Sequence, residues 1–228
     1  MNASVRGSAA HVFVDSLAAP VLNLDDQHHL GRVLRLREGE AVSVSDGRGS
    51  WRMCRFVSAD ALEPTSDIEC PPRATPELTI GFALPKAERP EWIVQKLTEI
   101  GIDRIVVLHA DRSVVRWAPD RADRNMTKLR KVAREASMQS RRLWLPIIDG
   151  PAQPRFVDPL AMLAEPSGDR LTLEASCLLI GPEGGWTRDE LAQQSRHVSL
   201  GSSILRVETA ALVAAAQLSA LRENGITA

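Results

Sequence analysis

The segment Leu178-Leu179-Ile180-Gly181-Pro182-Glu183-Gly184-Gly185-Trp186 sets the architecture of what surrounds it. Three aliphatic residues run into Gly-Pro, an acid follows, and two glycines close the turn. Directly behind, Thr187 and Glu190 stand at the spacing of a capping box, in which each side chain takes a backbone N–H at a helix start. The segment therefore predicts a short buried strand, a tight turn and a helix. A second unit follows, with His197-Val198-Ser199-Leu200 as strand and Gly201-Ser202-Ser203-Ile204-Leu205-Arg206 as loop. Val207-Glu208-Thr209 then opens a helix rich in Ala and Leu. Two such units in tandem put both loops at one edge of a sheet, beyond the carboxyl ends of its strands, where open α/β sheets bind ligands. Ordinary α/β connections carry the same pattern, so the loops need their context.

Upstream, strands and helices alternate. Leu78–Leu84 is a continuous apolar run of the kind buried on both faces of a sheet. The next helix carries Trp92, Ile93, Leu97 and Ile100 on one side and stops at Gly101, and Ile105–Leu108 is the following strand. From Pro119 a long helix buries Ala122, Met126, Leu129, Val132, Ala133 and Ala136. Its other face carries Arg121, Arg124, Lys128, Arg130, Lys131 and Arg134. Residues 155–165 are read as a further helix. The alternation implies an α/β domain with a mostly parallel sheet from about residue 76 onward.

Residues 11–70 read instead as a small β-rich module. His11–Val14, Ala41–Val44 and Trp51–Val57 alternate with period two. Asp46-Gly47-Arg48-Gly49 lies between two of these runs and precedes a strand, so it is a hairpin turn and not a nucleotide-binding loop. Arg32, Arg35 and Arg37 cluster after His29 and can track a phosphate backbone; a solvated face on a short helix accounts for them equally. Pro64–Pro76 reads as a linker, giving domains at 1–72 and 73–228.

Hydrophobic content of 44% and charged content of 25% fit a globular protein, and the lack of Tyr makes the core aliphatic. The three cysteines, Cys54, Cys70 and Cys177, are odd in number and widely spaced. Disulfides and a zinc site are therefore not expected, and a cytoplasmic location is. The amino-terminal residues lack a signal-peptide core, and no run of about eighteen apolar residues suggests a membrane span. Net charge of −1 argues against a globally basic nucleic-acid binder. Basic residues nevertheless outnumber acidic ones over residues 86–142, and all but four of the basic residues in the whole chain are Arg, which suits bidentate phosphate contact.

Together these segments resemble the RsmE family of ribosomal RNA methyltransferases in the SPOUT (trefoil-knot) superfamily. The resemblance rests on His29–Arg35, Lys86–Gly101, Arg112-Ser113-Val114, Glu135–Arg141, Leu179–Gly185 and Leu200–Ala210, in the family's order. It implies an N-terminal PUA-like β-barrel for RNA binding and a C-terminal knotted, mostly parallel α/β domain with helices on both faces. It further implies S-adenosyl-L-methionine bound by Leu179, Ile180, Gly181, Pro182, Gly184 and Gly185. Leu200, Gly201, Ile204, Leu205, Arg206, Thr209 and Ala210 complete that implied set. The implied partners are a second copy of the chain and 16S rRNA of the small ribosomal subunit, with Lys86, Arg112 and Arg141 as further RNA contacts. The implied product is 3-methyluridine near the decoding region. No metal and no membrane are implied.

The chemistry asks for positioning, a proton acceptor, and stabilisation of negative charge on the uracil carbonyl oxygens. Arg206 is the candidate for the charge, Glu208 the first candidate base and Glu183 the second. Glu208 also suits a helix start, and Glu183 also suits its turn. Two other readings stay open: a related knotted methyltransferase acting on tRNA or a ribose hydroxyl, and a non-catalytic RNA-binding adaptor.

Overall fold

The computed structural model describes residues 3–85 and 89–225. The chain divides into two compact units, one running to Arg73 and including Ser137–Leu145, the other made of Ala74–Ala136 and the chain from Pro146 onward.

The first unit carries the short helix α1 (Ala3–Gly7) and strand β1 (Ala10–Phe13), then α2 (Leu24–His28) with a π-helical turn over His29–Val33. Strands β2 (Ala41–Ser45), β3 (Trp51–Ser58) and β4 (Ala61–Pro64) complete a four-stranded sheet in the order β1-β2-β3-β4. β1 lies parallel to β2, while β2, β3 and β4 form an antiparallel meander. The hairpin turn stands where the sequence puts it. Asp46 Oδ1 accepts from the N–H groups of Arg48 at 2.8 Å and Ser50 at 3.1 Å, which closes the turn from inside. Val12, Leu30, Val42, Val44, Cys54 and Phe56 form the core.

Two expectations change in this unit. The linker predicted over Pro64–Pro76 is structured as far as Glu69, which exchanges two backbone hydrogen bonds of 2.9 Å with Trp51. Ser66 Oγ accepts from Met53 N at 2.9 Å and Arg52 Nε donates to the Ser66 carbonyl at 3.0 Å, so side chains secure a Pro-rich segment that composition alone reads as loose. Residues 137–145, left in the second domain by the sequence reading, pack here. Their carbonyls accept from His11 Nε2 (to Arg142, 2.9 Å) and Ser45 Oγ (to Leu143, 2.9 Å).

The second unit is a six-stranded sheet, parallel throughout. Its strands are β5 (Thr79–Ala83), β6 (Arg104–Leu108), β7 (Ile147–Ala152), β8 (Met162–Arg170), β9 (Cys177–Ile180) and β10 (His197–Ser199). Their spatial order is β10-β8-β9-β5-β6-β7. Helices α3 (Arg89–Ile100), α4 (Pro119–Gln139), α5 (Arg188–Gln193) and α6 (Val207–Gly225) follow strands as the alternation predicts. Strand pleating divides the core in two. Ile80, Phe82, Ile105, Val107, Leu178 and Ile180 face Ile93 and Leu97 of α3, Met126 and Leu129 of α4, and Ala211 and Leu218 of α6. Val106, Leu108, Leu163 and Leu179 face the other way, toward Val157, Ala161, Trp186 and Leu191 of α5. Each fully buried side chain of this size contributes about 1.5–3 kcal/mol. The exposed face of α4 carries the predicted basic residues, and Lys128 Nζ reaches Glu91 of α3 at 2.6 Å.

The helix predicted over 155–165 is not there. Pro154–Phe156 is a single 3-10 turn and Met162 begins β8, while Phe156 is 70% and Leu160 80% exposed, so no helical stripe is buried. A short apolar run does not by itself distinguish strand from helix. β7 was not predicted because Gly150-Pro151 interrupts it; as an edge strand it tolerates a residue that cannot donate to the ladder. Beneath the sheet, Arg222 of α6 and Asp103 form a buried pair at 2.5 Å, and Asp103 Oδ2 also accepts from Leu78 N at 3.0 Å. Among the described residues no helix is long and apolar enough to cross a membrane.

Candidate active site

Three chain segments meet beyond the ends of β8, β9 and β10 and enclose a cavity of about 160 Å³. The β9 turn and the loop after β10 are the two units predicted from sequence. The third wall comes from β8, whose register against β10 jumps from Leu163 opposite His197 to Asp169 opposite Val198. The residues between bulge out, and Ala164, Glu165 and Pro166 line the cavity.

Nine of the residues expected to touch a cofactor line it: Ile180, Gly181, Pro182, Gly185, Leu200, Gly201, Ile204, Leu205 and Ala210. Glu183, the second candidate base, lines it as well. Leu179, Gly184, Arg206 and Thr209 do not line it. Leu179 is fully buried in the core, Gly184 lies against Arg112, and Arg206 and Thr209 are exposed. Glu208 stands in the first turn of α6, half-buried, with its Oε2 atom shielded from solvent. Sequence reasoning missed Glu165 and Pro166 because β8 was read as helix. It also missed Trp186, Ser203 and Val207, which sit inside or beside the predicted motifs.

The β9 turn is held by short-range and long-range contacts together. Gly185 N–H donates to the Pro182 carbonyl at 2.8 Å, and Gly185 takes φ +68°, a conformation that favours glycine. The capping box is complete: Glu190 N donates to Thr187 Oγ1 at 3.2 Å and Thr187 N donates to Glu190 Oε2 at 2.8 Å. Trp186 folds back over Gly181, so closely that a Cβ at 181 would stand 2.8 Å from its ring, and its Nε1 donates to the Ala164 carbonyl at 3.0 Å. One indole thus ties the β8 wall to the β9 wall. Beyond β10, Ser199 Oγ donates to the Gly201 carbonyl at 3.1 Å and shapes the second loop.

The expected RNA contacts stand in different settings. Arg32, Arg35 and Arg37 are exposed, Arg32 on the π-helical turn and Arg35 at φ +55°. Arg141 is half-buried and donates to the Ser8 carbonyl at 2.6 Å. Arg112 is exposed, yet its Nη1 donates to the carbonyls of Gly184 and Trp186, each at 3.1 Å. Lys86 lies outside the described residues. On β9, burial foremost and then Asp158 push the Cys177 thiol up to about 12, so no thiolate forms there near neutral pH.

The lining suits an adenosyl cofactor. Ile180, Leu205 and Val207 offer apolar walls to a flat base, and Gly185 and Gly201 have open space where a Cβ would project. Glu165 and Glu183 bring acceptors for hydroxyl or ammonium groups. Concave, mostly apolar sites with a few placed polar groups are the usual form of cofactor pockets.

Comparison with known proteins agrees with this geometry. Residues 72–219 match the RNA methyltransferase domain family, and residues 22–69 match the RNA methyltransferase PUA domain. A ribosomal RNA small subunit methyltransferase E of Mycobacterium bovis is 32% identical, over 89% of this chain and 88% of that protein. One from Synechocystis is 34% identical over 91% of this chain and 75% of its own. The crystal structure of a ribosomal RNA small subunit methyltransferase E from Neisseria gonorrhoeae bound to S-adenosyl methionine superposes with a TM-score of 0.77. It covers 93% of this chain and 97% of that one at 22% identity, and so shares its fold. With the domain match spanning more than half the chain and relatives aligned along nearly all of it, the chain belongs to the ribosomal RNA small subunit methyltransferase E family of RNA methyltransferases.

Proposed function

We propose that this protein transfers a methyl group from S-adenosyl-L-methionine to ring nitrogen 3 of a uridine in 16S rRNA, near the decoding region of the small ribosomal subunit. It acts in the cytoplasm as a homodimer, with the cofactor pocket near the two-fold interface. The observation that carries this reading is the single cavity that gathers most of the expected cofactor contacts, walled by three segments of one sheet edge.

When bound, the cofactor supplies a methyl group on a sulfonium, an electrophile that needs no further activation. The chain supplies the rest. Ile180, Leu205 and the backbone at Gly181 and Gly201 hold the cofactor. Nitrogen 3 of uracil carries a weakly acidic proton between two carbonyls and becomes a nucleophile once that proton leaves. Glu208 accepts it, with Glu183 as the second candidate, and Arg206 stabilises the charge that develops on the carbonyl oxygens. Nitrogen 3 lies on the pairing edge, so the uridine enters unpaired or extruded. Arg32, Arg35 and Arg37 contact phosphates.

The test uses small ribosomal subunits lacking base methylation, incubated with the protein and labelled cofactor, followed by digestion and nucleoside identification. Labelled 3-methyluridine in the 16S fraction is the expected result. A methylated ribose, or label only in tRNA, would replace this reading with that of another knotted RNA methyltransferase. No label and no cofactor binding would replace it with an adaptor. Given activity, Glu208→Gln is expected to lower kcat by about 10²-fold or more with cofactor affinity retained, and Glu183→Gln by less.

A further inference from the structure

Arg112 belongs to the loop that follows β6, distant in sequence from the β9 turn. Its aliphatic stem packs on Gly184, with Arg112 Cβ 3.4 Å from where a Gly184 Cβ would stand. Its Nη1 reaches the carbonyls of Gly184 and Trp186 from outside the turn, each at 3.1 Å. The other side of the same turn, through Glu183, Gly185 and Trp186, lines the cavity. The neighbouring residue adds a second tie. Asp111 N–H donates to Glu190 Oε1 at 2.9 Å, and Thr187 Oγ1 donates to Asp111 Oδ2 at 3.3 Å. Glu190 is only 6% exposed and uses its other oxygen for the Thr187 cap, so both of its oxygens are committed. The Arg112 loop is itself pinned, because Arg116 Nη2 donates to the carbonyls of Ala110 at 3.1 Å and Asp111 at 3.0 Å.

We infer that Arg112 is a positioning residue of the cofactor pocket and not an RNA contact. A guanidinium presents several donors in a rigid fork, and here one nitrogen spans two main-chain carbonyls that would otherwise be free to rotate with the glycine turn. Holding the Gly184 and Trp186 carbonyls outward fixes the path of the Glu183–Trp186 backbone along the cavity. It also fixes the root of the indole that reaches Ala164, so Arg112 acts on both the β9 and β8 walls through Trp186. The pocket is then preorganised before any ligand arrives, which spares the ligand the ordering of a glycine loop.

This inference rests on the proposed function for the identity of the ligand, and its test separates the two. Arg112→Ala and Arg112→Lys are compared with wild type in cofactor titration calorimetry, steady-state kinetics, and hydrogen exchange of the 181–187 segment without ligand. For Arg112→Ala the dissociation constant and KM for S-adenosylmethionine are expected to rise about tenfold or more, with KM for the RNA substrate unchanged. Arg112→Lys keeps a charge and a donor but not the fork, and recovers part of the loss. Exchange at 181–187 quickens in Arg112→Ala while the rest of the sheet edge keeps its protection. A raised KM for RNA with cofactor affinity intact would overturn the inference, as would unchanged exchange over 181–187. If wild-type protein binds no S-adenosylmethionine, the proposed function fails, and the exchange measurement still decides whether Arg112 braces the turn.

Discussion

Alanine at position 181 tests how the pocket is built. A Cβ there stands 2.8 Å from Trp186 Cε2 and 3.0 Å from Nε1, where carbon contacts ordinarily settle at about 3.5–4.0 Å. The indole has to retreat by roughly 1 Å, and it has little freedom to do so. It is 5% exposed, and its Nε1 is bonded to the Ala164 carbonyl at 3.0 Å. Retreat with the bond kept overpacks the face shared with Leu163 and Leu179, at about 1–3 kcal/mol. Retreat with the bond broken strands a buried donor, at about 1–3 kcal/mol. The expected loss for Gly181→Ala is therefore about 1–3 kcal/mol, or roughly 3–10 °C in Tm for a domain of this size. Cofactor affinity should fall about tenfold or more, because the displaced ring forms part of the cavity wall. Gly185→Ala is the internal control. Its Cβ meets nothing within 4 Å, so only the strain of φ +68° remains, about 1–2 kcal/mol. A thermodynamic cycle isolates the clash: in a Trp186→Leu background, adding Gly181→Ala should cost less than about 0.5 kcal/mol. Calorimetric unfolding and cofactor titration read both quantities. A Gly181→Ala protein that melts within about 2 °C of wild type and binds cofactor normally would refute the reasoning, as would strict additivity in the cycle.

Burial foremost, with Arg141 adding to it against the opposing Arg142 carbonyl, lowers the His11 imidazole from 6.5 to about 4. Above pH 6.5 the ring is neutral folded or unfolded and contributes no pH dependence. Between 6.5 and 4 only the unfolded chain takes the proton, so stability falls with pH by up to about 3 kcal/mol. Urea denaturation at pH 7, 5.5 and 4 checks this, and His11→Gln should flatten that part of the profile. Arg222→Met removes the guanidinium that meets the buried Asp103 carboxylate and should destabilise by about 3–5 kcal/mol in chemical unfolding; a near-neutral result would show that the pair contributes little to stability. Neutralising Arg32 and Arg35 together should weaken rRNA binding and make its salt slope shallower, with cofactor affinity unchanged. Unaltered binding across several salt concentrations would remove those residues from the interface.

Short-range signals were legible in the chain. The Thr187–Glu190 capping box, the turn at Gly185, the hairpin at Asp46–Gly49 and the buried stripe of α4 depend on residues within a few positions of one another. Their spacing alone specifies the hydrogen bonds or the buried face. The placing of two glycine loops at one sheet edge also followed, because strand–loop–helix units repeat in a fixed sense along a parallel sheet.

What the chain by itself determined, then, is the alternation of strands and helices and most of two cavity walls. Tertiary structure alone decided the rest. β8 became a strand because Met162 and Leu163 find partners in β9 and β10, a choice that a short apolar run leaves open. Only with that strand in place do Glu165 and Pro166 form the third wall. Residues 137–145 joined the first unit because their carbonyls meet donors from His11 and Ser45, far away in sequence. The resemblance implies RNA contacts for Arg112 and Arg141, and in the fold Arg112 donates to two main-chain carbonyls and Arg141 to one. A guanidinium's partner is whichever acceptor the fold brings within about 3 Å, and residue type and spacing carry no information about that distance.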